Sequence, residues 1–114
     1  MKTNELRIGN LVNYLGNTTK VNSISGTDKF YIATYSSGIF HESNFEPIPL
    51  TEEWLLKFGF EQREFSFDKG SFFLSKRTGK DGFLYQAHTN RFQVKHVHQL
   101  QNLYFALTNQ ELTL

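Results

Sequence analysis

No cysteine occurs in this 114-residue chain. Disulfide frameworks and thiolate metal sites are therefore excluded, and with them the disulfide-stapled secreted scaffold. No apolar run is long enough to span a bilayer. The opening MKTNELRIGN has no apolar h-region of the kind a signal peptide needs. A cytoplasmic protein with no membrane partner is the expectation. Charge of one sign is also lacking: 12 Lys and Arg against 11 Asp and Glu leave a formal net charge of +1. That is too small an excess to mark a nucleic-acid protein by charge alone. Residues 1–50 hold four basic and four acidic side chains, residues 51–98 hold eight and six, and the tail beyond holds only Glu111. The small basic excess thus sits in the back half.

What is present is ordinary globular material with one bias. Hydrophobic residues make up 39% and charged residues 20%, which argues against disorder. Aromatics reach 16%, with 12 Phe, and supply large apolar side chains for the core of a short chain. The length suits one domain, or two small ones sharing a core.

The two prolines, Pro47 and Pro49, stand together at the start of PIPLTEEWLLKFGF (47–60), which reads as the hinge between two halves. Neither proline can donate a ladder hydrogen bond, so they end the preceding strand. Thr51 is a good N-cap, followed by Glu52 and Glu53 at the positive end of the helix dipole. Leu50 and Leu55 have the spacing of a hydrophobic staple. Trp54 takes the third helical position, so there is no capping box. Gly59 stands where a left-handed residue ends a helix, with Phe60 placed to fold back on Leu55. A helix over 52–58 follows. So short a helix needs tertiary burial. Trp54, Leu55 and Phe58 share one side and Leu56 points nearly opposite, which predicts a helix sandwiched between the two halves.

Before the hinge, residues 1–50 read as short strands, Leu11–Leu15, Lys20–Ser25, Lys29–Tyr35 and Ile39–His41, separated by Gly-rich turns. Val21 and Ile24 fall out of phase, which predicts a bulge. Several short, bent strands in this length suggest a small SH3-like β unit. Behind the hinge, residues 62–97 alternate as an antiparallel meander with one apolar face, Phe65 and Phe67 together on it. The period then changes: Val97, Leu100, Leu103, Tyr104 and Leu107 recur at helical spacing, and Asn109 can cap the end. A helix over 98–108 on the open face of the meander is expected. The fold class is α+β, with an SH3-like unit at 1–50 and an α+β unit at 51–114. One compact domain and two separable subdomains both satisfy the pattern.

The segments ELRIGNLV (5–12), PIPLTEEWLLKFGF (47–60) and VHQLQNLYFALTNQELTL (97–114) resemble a family of small uncharacterised proteins from Bacteroides-type gut bacteria and their phages and mobile elements. The resemblance covers about a third of the chain. It implies an intracellular accessory protein of phage or mobile-element origin, and it brings no catalytic residues with it.

The chemistry-bearing residues form no strong constellation. His88, His96 and His98 are near in sequence, but zinc needs three or four convergent ligands, and alternation sends His88 and His96 to opposite faces. His98 at the helix start is explained as a capping residue. No Ser sits on a Gly-flanked elbow. Gly79-Lys80-Asp81-Gly82 lacks the remaining glycines and the helix of a phosphate loop. Glu52-Glu53 serves the helix dipole, and Glu61 and Glu64 read as solvated. The expectation is a non-enzymatic protein without a cofactor, whose partner is another protein or a second copy of itself. The alternative is a small nucleic-acid-binding protein using Lys76, Arg77 and Lys80 in one loop, beside aromatics that stack bases. For the protein-contact reading the marked surface is the side of the C-terminal helix away from the sheet. It carries His98, Gln101 and Phe105, and no formal charge stands between Lys95 and Glu111. Depleted charge with an aromatic resembles interface composition. The other reading of Phe105 is that the front unit or the tail folds over it.

Overall fold

The computed structural model describes residues 6–14, 16–25, 31–34, 38–41, 45–76, 82–87 and 90–114. The chain is α+β, with two antiparallel sheets and two helices. The first sheet contains β1 (Leu11–Tyr14), β2 (Asn17–Ser25), β3 (Tyr31–Thr34), β4 (Gly38–His41) and β5 (Phe45–Glu46), in the order β4-β3-β2-β1-β5. The fifth strand therefore returns beside the first. The register between β2 and β3 shifts between Val21 and Ser23, at the place where the apolar alternation slips in the sequence. Strand β2 begins earlier than the sequence pattern indicates, because Tyr14 pairs with Asn17 across a tight turn in which Gly16 has φ 84°. Val12, Val21 and Phe45 form a small core here with Leu6, and Tyr14 lies 5.2 Å from Phe45.

Helix α1 (Glu52–Lys57) has the expected local chemistry. Thr51 Oγ1 accepts from the Trp54 N–H at 3.4 Å. At the other end Phe60 N–H donates to Leu55 O at 3.0 Å and Gly59 N–H to Leu56 O at 3.1 Å. Those two bonds are the 6→1 and 5→2 pair of a Schellman motif, and Gly59 has φ 90°. The sandwiched position expected for α1 is not found. Leu55 and Phe58 are buried in the main core, Trp54 lies half-buried against Phe58, and Leu56 is 50% exposed.

The second sheet contains β6 (Glu61–Gln62), β7 (Ser66–Lys69), β8 (Phe72–Lys76), β9 (Phe83–Ala87) and β10 (Asn90–Val94), in sequential order. Its inner face buries Phe67, Phe72, Leu74, Phe83 and Val94 beneath α2 (Val97–Thr108), which contributes Val97, Leu100 and Tyr104. Full burial of such side chains is worth about 1.5–3 kcal/mol each. Phe65 does not share the face of Phe67. The chain bends at residues 64–65, before β7 begins, and leaves Phe65 outside the core. The hinge also binds the back unit directly. Leu50 N–H donates to Lys95 O at 2.8 Å and Val97 N–H to Ile48 O at 2.9 Å, so residues 48–50 lie as a short strand beside 95–97. No described helix is long and apolar enough to cross a membrane.

Replacing Gly59 by Ala should cost about 1–2 kcal/mol, the penalty for an L-residue held left-handed. Only the flexible end of Lys69 stands near the new Cβ, so backbone strain dominates. A denaturant midpoint equal to that of the parent chain would contradict the assignment.

Candidate interaction surface

Helix α2 begins without a charged cap. His96 is the N-cap: Gln99 Oε1 reaches back to accept from the N–H groups of Lys95 and His96 at 3.0 and 3.1 Å, and Val97 N–H donates to Ile48 O at 2.9 Å, so the cap is not built on His98. At the far end Asn109 adopts the left-handed conformation, with φ 59°, and its N–H donates to Phe105 O at 2.8 Å. In between, α2 has two covered sides. Successive residues advance by about 100° around a helix. Leu100 and Tyr104 meet the sheet, while Gln101 and Phe105 lie a quarter-turn or more away, toward the N-terminal unit.

That second side is where His98, Gln101 and Phe105 are expected to form an external contact surface. The structure corrects this placement. Gln101 is 3% exposed and His98 2% exposed, and both are buried within the chain itself. Gln101 Oε1 accepts from Leu11 N–H at 2.8 Å and from Asn10 Nδ2 at 3.5 Å, while its Nε2 donates to Gly9 O at 3.3 Å. Arg7 completes the joint. Its Nε donates to Asn102 Oδ1 at 2.9 Å, Nη1 to Glu111 Oε1 at 2.8 Å and Nη2 to the Gln101 carbonyl at 3.3 Å. Its guanidinium also lies 4.4 Å from the centre of the Phe105 ring. The missing charge between Lys95 and Glu111 thus reflects a helix covered on two sides by its own chain. Leu107, expected to face the sheet, is instead exposed, and Leu103 is half-buried.

The rings of His96 and His98 stack at 5.8 Å, and His88 lies outside the described residues. Among the described residues no three His, Cys, Asp or Glu side chains gather at metal-holding range. Of the basic loop, Arg77 and Lys80 lie outside the described residues. Lys76 is half-buried, its Nζ 5.0 Å from the centre of the Phe67 ring. Glu61 and Asp68 are held by Arg63 at 2.8 and 3.2 Å in an exposed ion-pair network. A cleft of about 480 Å³ remains open beside the joint, between Ile8, Leu11, Lys20, Glu111 and Leu114.

The surface that sequence reasoning overlooked is aromatic and belongs to the second sheet. Asp68 pairs with Phe73 and Ser75 with Leu84, so Phe73 and Leu84 stand on the face away from α2. Phe73 is 49% exposed and Phe65, in the bend before β7, 75%. On the inner face an aromatic row runs from Phe72 to Tyr85, stacked at 4.9 Å, and on to Phe92 at 6.3 Å. Tyr104 of α2 covers Phe72 at 5.2 Å, but the row continues to the sheet edge, where Phe92 is 46% exposed. A signal was available: adjacent Phe72 and Phe73 on one strand must point to opposite faces.

Comparison with known proteins adds no relative: no family model, no curated protein and no solved structure matches the chain.

Changing Gln101 to Leu keeps the volume but leaves the Leu11 N–H and the Gly9 carbonyl without this partner. A loss of about 1–3 kcal/mol is expected, the cost of stranding buried polar groups. Urea unfolding measures it, and a change within error of zero would contradict the joint.

Proposed function

We propose that the chain is a non-enzymatic accessory protein that works by contact with protein, and that its working surface is the second sheet. The observation that carries this reading is the exposure of Phe73, on the sheet face away from α2, and of Phe65, in the bend that leads into the same sheet, in a chain that buries the amides of Asn10 and Gln101. Exposed aromatics grouped on one element mark contact surfaces more often than scattered single ones do. The origin in phages or mobile elements rests on the sequence resemblance. The first sheet, with its fifth strand beside its first, is read as the SH3-like unit. The place of action is taken as the cytoplasm.

Nucleic-acid binding is the second reading, favoured by the exposed rings on the same sheet as Lys76 and Arg91.

Affinity capture from cells that encode the chain separates the two. On the protein reading, a captured partner survives nuclease and is lost on Phe73→Glu, which leaves the melting temperature near that of the parent because Phe73 lies outside the core. Capture that disappears with nuclease, and with joint replacement of Lys76, Arg77 and Lys80 by Gln, transfers the function to nucleic acid. Capture indifferent to Phe73→Glu overturns the assignment of the surface.

A further inference from the structure

Natural sheets protect their edges, because a row of unpaired N–H and C=O groups invites another strand. Among the described residues, the second sheet protects only one of its two. On one side it ends in β6, two residues long and flanked by the Arg63 ion pairs. On the other it ends in β10, whose five residues hold unbroken register with β9: Asn90 with Ala87, Arg91 with Gln86, Phe92 with Tyr85, Gln93 with Leu84 and Val94 with Phe83. Strand β10 contains no proline and no bulge, and a single charge, Arg91. Among the described residues it pairs with no strand but β9.

The direction of its backbone groups follows from two neighbours. The Val94 carbonyl lies against Gly82, on the β9 side. The Lys95 carbonyl accepts from Leu50 N–H, on the opposite side. Backbone groups alternate along a strand, so Asn90, Phe92 and Val94 bond toward β9, and Arg91 and Gln93 present their N–H and C=O groups outward. Residues 48–50 occupy this outer edge only from Lys95 onward.

We propose that this edge pairs, antiparallel, with β10 of a second copy of the chain, about a two-fold axis at Phe92. The inference rests on the protein-contact reading above and adds to its Phe73 face a second contact, between copies of the chain at the edge of the same sheet. The strand is self-complementary in this register. Arg91 falls opposite Gln93 of the second copy, and Gln93 opposite its Arg91, so no like charges oppose each other. These two positions carry the outward backbone groups and form the hydrogen-bonded pairs. Phe92 meets its own copy in a non-hydrogen-bonded pair, where side chains approach most closely. The aromatic row Phe72–Tyr85–Phe92 then continues through the axis into the same row of the second copy. That continuation covers the Phe92 ring, left 46% exposed in the single chain. Such a contact is isologous and closes at two copies, so it forms no fibre.

Three measurements test this. Light scattering should show the mass rise from 13.3 kDa toward twice that value as concentration increases. Phe92→Cys supplies the only thiol in the chain. Cα atoms about 4.5 Å apart in a non-hydrogen-bonded pair lie within the range a disulfide spans. Mild oxidation should therefore yield a covalent dimer, whereas Gln86→Cys, on the exposed side of β9 away from the axis, should not. Gln93→Pro removes an outward N–H without touching the β9 ladder, and should hold the mass at that of one chain while the fold, followed by circular dichroism, persists. A parent chain that stays at 13.3 kDa at all concentrations overturns the proposal. So does a dimer that persists in Gln93→Pro or does not cross-link through Phe92→Cys, since the copies would then meet elsewhere. Binding of an extended foreign peptide by a monomeric chain also overturns it, while leaving the wider protein-contact reading standing. That wider reading fails on its own test, if capture is indifferent to Phe73→Glu.

Discussion

A single buried amide ties the two sheets of this protein together. Gln101 projects from the middle of α2 into the N-terminal unit and satisfies backbone groups at Gly9 and Leu11. Those groups belong to the entry into β1, so the first sheet is held at its first strand. Arg7 reinforces the amide from outside, lying on Phe105 and reaching both α2 and Glu111. Its ion pair with Glu111 is partly exposed, and pairs of that kind contribute at most about 1 kcal/mol. The larger constraint is the buried one, because stranding polar groups inside costs more than an exposed pair returns. Asn10, buried alongside, donates to Asn102 and Gln101, so the contact is a small polar network within an otherwise apolar boundary.

The hinge supplies a second tie of a different kind. Residues 48–50 add backbone hydrogen bonds to the end of β10, and Ile48 and Leu50 enter the main core. Helix α2 therefore meets the sheet on one side and the N-terminal unit on the other, while α1 packs by one face and leaves Leu56 in solvent. Among the described residues α2 is the one long helix, and it covers one face of the second sheet. On its other face no described element buries Phe73, and the inner aromatic row outruns the helix at Phe92. The exposed rings are a geometric consequence of this economy, and they are also the groups through which the protein is proposed to meet its partner.

Much of the local structure was legible. The Thr51 cap, the left-handed Gly59, the Asn109 terminus of α2, the slip near Val21 and the alternation of the meander each depend on residues a few positions apart. A helix covered on two sides is present, but it is α2 and not α1. The two-sided apolarity of α1 is read from Leu56, and a single exposed Leu on a six-residue helix costs little. The charge-free run of α2 was the stronger signal of double coverage. By composition alone it fits an external surface equally, because amides suit a protein interface as well as they suit an internal joint.

By itself, the sequence determined where α1 starts, how both helices end, the alternation along β8, β9 and β10, and that the chain is α+β. Those properties follow from backbone stereochemistry, capping and periodicity, which act within a turn or a strand. Only the tertiary structure decided which faces are covered. The partners of Gln101 lie about ninety residues away along the chain, and the burial of His98 and the exposure of Phe73 and Phe92 depend on which layers happen to lie above them. A polar helix face has the same composition whether water, a partner or its own chain lies against it, so coverage is set by long-range packing that no local pattern records.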